Sequence, residues 1–327
     1  MNRSMLYINT DHLKNAGICW DRVLEVLYSS IDTIGRKDFA QPVKLYLRYG
    51  DPGDRIIAMP AFLGGETAMA GIKWIASFPG NLDKGISRAH SVTVLNEADT
   101  GIPFCLFNTN LISGIRTAGV SGIMINEYLR RKQLTRRFTI AIIGFGPIGQ
   151  LHLEMISSLL KGRIDSVYLY DIRGIDPDEA ACLTRETVSI CSTWEEGYEQ
   201  ADIVMTCTVS KSRYIDKLPK RGSLHLNVSL RDYHPEFLEH VDFMVVDDWV
   251  EVCRENTDVE VMHKTLNLMQ ADVHELAEVV CNDSLHGYTD EQVIMFNPMG
   301  MAIFDIAVGE YYYKLILERN SGIMLPG

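Results

Sequence analysis

Residues Thr139-Ile-Ala-Ile-Ile-Gly144-Phe-Gly146-Pro147-Ile148-Gly149-Gln-Leu-His152 decide the reading of this chain. The apolar run Phe138–Ile143 leads straight into G-x-G-x-x-G, and apolar residues then recur at helical spacing to Leu160. That order predicts a buried strand, a tight turn and a helix whose first amides face an anion. Gly144 supplies the turn, Gly146 lets a pyrophosphate approach the backbone, and Gly149 lets helix and strand touch. A second strand, Val167-Tyr-Leu-Tyr-Asp171, ends in a carboxylate at the distance from the glycines where a ribose is bound. Such a carboxylate accepts from ribose hydroxyls and repels a 2′-phosphate, so NAD is the expected cofactor. Arg173, two residues on, pulls the other way.

Downstream the alternation continues. A helix is expected over Asp178–Thr187, and apolar strands over Ile203–Val209, Leu224–Ser229 and Phe243–Val246. Continuous apolar strands alternating with helices predict a Rossmann-type, doubly wound parallel sheet. Upstream the pattern differs. Trp20–Ile34 reads as a helix, while Val43–Tyr49, Arg55–Met59, Ala70–Phe78 and Ser91–Leu95 read as strands broken by turns such as Tyr49–Asp54. Strands in a row imply a mostly antiparallel α+β domain. Between the two, Asn110–Lys132 is a predicted helix whose final Arg130-Arg131-Lys132 faces its dipole. The expected fold is therefore α/β with two domains. One spans 1–115, with the tail 302–327, helical over Met301–Glu318, returning to it, and 116–301 is the dinucleotide-binding domain.

The chain's 327 residues suit two domains, and 46% hydrophobic with 23% charged residues excludes disordered and fibrous classes. A net charge of −12 disfavours nucleic acid and anionic membranes as partners. No apolar run approaches the ~20 residues of a membrane span. The leading residues from Met1 lack a signal-peptide pattern. Seven scattered cysteines, none in C-x-x-C spacing, argue against disulfides and structural zinc and fit a reduced, cytoplasmic setting.

Several residues invite chemistry. Asp232 follows the strand-like Leu224–Ser229, where a carboxylate reaches bound ligand in an open α/β sheet; its bland alternative is a solvated loop acid. Lys73 and Arg116 are cations in apolar surroundings, and each needs either an internal carboxylate or a substrate carboxylate as partner. Lys44, Arg48 and Arg88 are weaker members of that class. His274-Glu275-Leu-Ala-Glu278 lacks the second histidine of a zinc-protease motif and reads as a helix face. Asp247-Asp248 reads as solvated, Arg130–Lys132 with Arg136-Arg137 as a helix end and loop, and Cys207 as core. No metal site is expected.

With these residues assembled, the chain resembles the ornithine cyclodeaminase/μ-crystallin family over essentially its whole length. The resemblance is carried by Gln41-Pro-Val-Lys44, Met59-Pro-Ala, Gly71-Ile-Lys73-Trp, Arg116-Thr-Ala-Gly-Val-Ser121, the glycine loop, and Gly300-Met-Ala-Ile-Phe-Asp305. Further phrases are shared with a siderophore-pathway branch: Asp54-Arg-Ile-Ile-Ala-Met-Pro, Thr206-Cys-Thr-Val, Val245-Val-Asp-Asp-Trp and Asn297-Pro-Met-Gly.

The resemblance implies that Lys73 and Arg116 hold a substrate α-carboxylate, with Lys44, Arg48, Met59, Arg88 and Gly300 also toward substrate. It makes Asp232 the catalytic acid/base, assisted by Lys73. Toward NAD it places Arg116, Thr117, Gly144, Gly146, Pro147, Ile148, Gly149, Asp171, Cys207, Thr208, Asn227, Val228, Ser229 and Arg231, with Ser121 as a further pyrophosphate donor. It implies a homodimer paired through the first domain, and a site in the cleft between domains. The activity it implies is NAD-dependent oxidative cleavage of N-(2-amino-2-carboxyethyl)-L-glutamate to 2,3-diaminopropionate and 2-oxoglutarate. The alternatives are ornithine cyclodeaminase, cyclic-imine reductase, or a crystallin-like binding protein without turnover. Three departures stand out. Lys44 replaces an arginine common in relatives and cannot form its bidentate fork, Glu236 stands where the cyclodeaminase has lysine, and Arg116-Thr-Ala-Gly replaces Arg-Thr-Ala-Ala. The first two argue against plain cyclodeaminase.

Overall fold

The computed structural model describes residues 4–51, 53–132 and 135–327. Met1–Arg3, where the signal-peptide reading began, and Pro52 of the Tyr49–Asp54 turn lie outside them. The chain divides into two compact units, Met1–Arg116 with Met301–Gly327, and Thr117–Gly300.

The first unit opens with β1 (Met5–Asn9), α1 (Thr10–Ala16) and α2 (Trp20–Gly35), whose Val23, Leu24, Leu27 and Ile31 recur at helical spacing and are buried. Strands β2 (Phe39–Ala40), β3 (Leu45–Leu47), β4 (Arg55–Leu63), β5 (Met69–Ser77), β6 (Ala89–Glu97) and β7 (Pro103–Asn108) follow. Adjacent strands from β4 to β7 pair antiparallel, while β1 joins β7 in parallel. Val43–Tyr49 is a strand only over Leu45–Leu47. The register aligns Met59, Lys73, Thr93 and Phe107 in one row, all buried. The neighbouring row of Leu45, Ala58 and Trp74 points the other way, because side chains alternate with period two.

Helix α3 (Leu111–Leu129) carries the chain into the second unit. There β8 (Phe138–Ile143), α4 (Pro147–Leu159), β9 (Ile164–Tyr170), α5 (Pro177–Leu183), β10 (Val188–Ile190), α6 (Trp194–Tyr198), β11 (Ile203–Thr206) and β12 (Leu224–Asn227) build the dinucleotide-binding pattern. It continues through β13 (Phe243–Val246), α7 (Trp249–Val252), α8 (Asp258–Leu266), β14 (Val273–Glu275), α9 (Leu276–Asn282) and β15 (Ile294–Asn297). The sheet order is β10-β9-β8-β11-β12-β15-β13-β14, and every pairing is parallel. The chain order reverses between β8 and β11, the switch point where such sheets bind ligands. β8, β11, β12 and β15 are buried almost throughout, which is why they read as unbroken apolar runs.

The tail returns to the first unit as α10 (Ala302–Glu318) and β16 (Ile323–Leu325). β16 pairs antiparallel with β1, and α10 packs on β4, β5 and β6 and against α2.

Four expectations are corrected. The helix expected to Thr187 ends at Leu183, because Thr184 is extended and Val188–Ile190 joins the sheet edge. His274–Glu278 is not one helix face. His274 and Glu275 end β14, and the Glu278 carboxylate accepts from Glu275 N at 3.0 Å, capping α9. Asp247 and Asp248 are structural: Asp247 accepts from Met299 N and Gly300 N at 2.9 and 2.6 Å, and Asp248 caps α7. Within the basic run, Lys132 is buried, donating to the Tyr288 hydroxyl at 2.8 Å and pairing with Asp290 at 2.9 Å.

Candidate active site

The glycine loop ends β8 and starts α4. Gly144 has φ +93°, and a Cβ there would lie 2.7 Å from the backbone carbonyl of Cys207. A Cβ on Gly149 would meet Gly144 O at 2.1 Å. Both glycines are dictated by packing. Gly146 differs: a Cβ there would have only an Arg173 nitrogen within reach, at 4.0 Å. The space over Gly146 is therefore open, at the N-cap of a 13-residue helix whose Pro147 lacks an N–H and whose next amides have no side-chain cap. This is the cradle a pyrophosphate needs, and the residues present fit NAD. Asp171 follows β9, with one oxygen accepting from Phe145 N at 2.8 Å and the other from Arg173 N at 2.9 Å. The Arg173 side chain approaches the same acid, so its charge is partly committed to Asp171.

The sequence offers Ser121 as a pyrophosphate donor. It lies fully buried inside α3, 2.9 Å from His152 Nε2. The His152 Nδ1 faces the Ile148 carbonyl at 2.7 Å, so Nδ1 carries the hydrogen. Burial pulls His152 down to about 4, so the ring is neutral and Nε2 accepts from Ser121. That hydroxyl hydrogen is spent on α4. Cys207, 3.8 Å from the same ring, has its thiol pushed well up by burial, which suits an inert packing role.

Beyond β12 the chain turns sharply, with Leu230 at φ +65°. Asp232 closes this turn and is 0% exposed, which removes the solvated-loop alternative. Thr208 Oγ1 donates to its two oxygens at 2.6 and 2.9 Å, and Ser229 Oγ donates to Oδ2. Burial raises its proton affinity, the Ser229 and Thr208 hydroxyls oppose that, and nearby Asp258 adds to it. Three residues expected to touch cofactor have side chains engaged here. Thr208 serves Asp232. Asn227 is fully buried, giving its amide to Asp258 and Asn297 and accepting from Leu230 N. Arg231 folds back onto the Glu255 carbonyl at 2.8 Å. Val228 and Ser229 remain half-buried at the strand end.

In the first unit, Lys73 is 2% exposed and donates to Asp305 Oδ2 at 2.7 Å and to Ser113 Oγ at 3.2 Å. Arg116 Nε sits 3.1 Å from the same Asp305 oxygen, misaligned for a hydrogen bond, and Asp305 Oδ1 has no hydrogen-bond partner among the described residues. Two buried cations thus share one oxygen of one carboxylate. Burial lowers Lys73 to about 7; Asp305 opposes the fall, while Arg116 and Lys44 add to it. Burial pushes Asp305 up, but Arg116 and Lys73 outweigh it and hold the carboxyl below its ordinary value. Lys44 and Met59 are buried on this unit. Arg48 is exposed with its guanidinium 5.2 Å from the Tyr46 ring centre, and Arg88 reaches Ser77 Oγ at 3.4 Å.

Residues 19–320 match the model of the ornithine cyclodeaminase/mu-crystallin family. The chain belongs to that family. It is 33% identical, over 99% of both chains, to the N-((2S)-2-amino-2-carboxyethyl)-L-glutamate dehydrogenase of Staphylococcus aureus. It is 29% identical to the alanine dehydrogenase of Archaeoglobus fulgidus over 86% of each. The fold matches that of Thermococcus litoralis Δ1-pyrroline-2-carboxylate reductase, solved with NADH and L-proline, at TM-score 0.86, 20% identity and 98% and 99% coverage. It also matches an archaeal alanine dehydrogenase dimer with bound NAD at TM-score 0.84, 23% identity and the same coverage.

Of these residues, Asp305 entered the sequence reading only as part of the family resemblance, without a role, and Asp258 did not enter it. Asp305 had a signal: a lone acid in the apolar run Met301–Gly309 is the internal partner that buried Lys73 and Arg116 require. Asp258 had none, because an acid after Asn-Thr at a helix start reads as an ordinary first-turn residue.

Proposed function

We propose that this NAD-dependent oxidoreductase cleaves N-(2-amino-2-carboxyethyl)-L-glutamate, with NAD and water, to 2,3-diaminopropionate, 2-oxoglutarate, NADH and a proton. The observation that carries the reading is the sharing of one Asp305 oxygen by Lys73 and Arg116, which leaves buried positive charge in excess of negative. A substrate carboxylate compensates that excess, and a tricarboxylate offers more such groups than ornithine or a cyclic imine. The similarity to the Staphylococcus aureus dehydrogenase supports the same choice. The product, a diamino acid, suits siderophore or related natural-product assembly in the cytoplasm.

Oxidation removes a hydride from the glutamate α-carbon and a proton from the bridging nitrogen, forming a C=N bond. Water adds to that carbon, and collapse of the carbinolamine breaks the C–N bond, releasing the amine and the oxo acid. Gly146–Gly149 would hold the pyrophosphate of NAD and Asp171 its ribose, and NAD when bound would supply the hydride acceptor. Lys73 and Arg116 orient the substrate α-carboxylate. Asp232 takes the proton from water and returns one to the departing amine. Because Asp232 is sealed off, the proton passes through the Thr208 and Ser229 hydroxyls that already bond it.

We further propose that the first unit pairs two copies of the chain. Leu45 at 70% and Trp74 at 45% exposure form part of an apolar strip on the sheet face opposite Lys73, which a second copy would cover.

The test mixes protein, NAD and the conjugate and follows NADH with 2-oxoglutarate. Stoichiometric formation of both is expected. Proline from ornithine without net NADH would replace this reading with a cyclodeaminase, and saturable NAD binding without turnover would replace it with a binding protein. Asp232→Asn is expected to lower kcat by at least about 100-fold with NAD affinity unchanged; a wild-type rate would remove Asp232 from the mechanism.

A further inference from the structure

Asp258, at the first position of α8, is fully buried. Its Oδ2 accepts from Asp232 N at 3.0 Å, from Tyr233 N at 3.1 Å and from Asn227 Nδ2 at 3.0 Å. Its Oδ1 faces Arg213 Nε at 2.7 Å, and Arg213 donates onward to Asn256 O at 2.8 Å. Asp258 N closes the ring by donating to Leu230 O at 2.7 Å. The left-handed Leu230 and the residues either side of it are thus clamped from both ends, the over-determination that a strained turn requires.

The partners of the two buried acids differ in kind. Every group that bonds Asp258 is a donor, so only the carboxylate fits there. Asp232 is bonded by hydroxyls, which also accept, so it is the member able to carry a proton. We propose that Asp258 and Arg213 are positioning residues for Asp232: Asp258 fixes the backbone of Asp232 and places a second negative charge beside it, and Arg213 offsets that charge. This rests on Asp232 being the acid/base of the proposed reaction.

The groups facing Asp232 are Thr206, Cys207, Thr208 and Tyr214 from β11 and the segment after it, Ser229 and Tyr233 from its own turn, and Asp258 from α8. Cys207, Tyr214 and Tyr233 are each pushed up by burial and by Asp232, so they stay neutral wherever Asp232 titrates. Asp258 and its counter-ion Arg213 are the charges left to tune it. Removing Asp258's charge eases ionisation of Asp232, and removing Arg213's charge hinders it.

The experiment titrates Asp232 in the NAD-bound protein by NMR of carboxyl-labelled aspartate, the signal being identified by its loss in Asp232→Asn. Asp258→Asn is expected to move its midpoint down, and Arg213→Gln up, each by on the order of one pH unit. A merely structural pair would not give opposite signs. Midpoints that stay put, or move together, overturn the proposal. If Asp258→Asn fails to fold, the direction of the shift in Arg213→Gln, at a side chain that is 18% exposed, decides alone. The readout needs no substrate, so failure of the proposed reaction shows separately as absent NADH.

Discussion

Lys73 holds its charge at a cost, because burial drives its proton affinity down to about 7. A substrate or product carboxylate needs the protonated form. Below neutrality Lys73 is charged and its contact with the carboxylate is present; as pH rises past about 7 the proton leaves and the contact weakens. The affinity of NADH-loaded protein for 2-oxoglutarate, measured by calorimetry, is therefore expected to fall about tenfold per pH unit above that point. Lys73→Met should bind weakly at every pH with that slope gone. An unchanged slope in the variant would show that another group carries the pH dependence. The prediction depends on Asp305 as much as on Lys73. With that carboxylate the ammonium is only lowered towards neutrality, whereas an unpaired buried lysine falls further.

The β8–α4 turn shows how one element divides its glycines between folding and binding. Gly144 and Gly149 are crowded by backbone atoms at 2.7 and 2.1 Å, so alanine at either must displace the main chain. Gly146 has an open space where its side chain would be. Gly146→Ala is expected to keep the wild-type melting temperature and lose NAD affinity at least about tenfold, because the methyl group occupies the pyrophosphate position. Gly144→Ala should lower the melting temperature as well. Thermal melting beside NAD titration separates the two cases. If Gly146→Ala binds NAD normally, the cradle is not the cofactor site. β5 divides its labour through period two instead: Lys73 faces α10 and Asp305, and Trp74 faces water.

For the whole molecule the proposed pairing of two copies turns on one surface of the first unit. β3 adds Leu45 beside Ala58 of β4, and Ala58 lies beside Trp74 of β5, so exposed Leu45 and Trp74 flank half-buried Ala58 in a strip across three strands. Sedimentation is expected to give a dimer, and Leu45→Glu with Trp74→Glu a monomer that still binds NAD. A double variant that remains dimeric would move the interface elsewhere. The net charge of −12 is no guide to the site, since most of the acids lie outside the core while Lys44, Lys73 and Arg116 are buried in the first unit.

Local chemistry was legible in the sequence. Glycine spacing fixes a turn, unbroken apolar runs mark strands buried on both faces, and Asp171 follows from its distance along the βαβ unit, because all three depend on neighbours in the chain. The two-residue β2 and the three-residue β3, β10 and β14 were not fully legible, since so few residues carry no period. Partnerships across long sequence separation lay further out of reach. Lys73 meets Asp305 across 232 residues, and Asp258 reaches back to Asp232 across 26. The sequence by itself determined that a buried cation needs an acid and that NAD needs a glycine turn. Only the tertiary structure decided which acid that is, and that Ser121, Thr208 and Asn227 spend their hydrogen bonds inside the protein. Burial removes water as an alternative partner, and the backbone path alone sets which polar groups then lie within reach of one another.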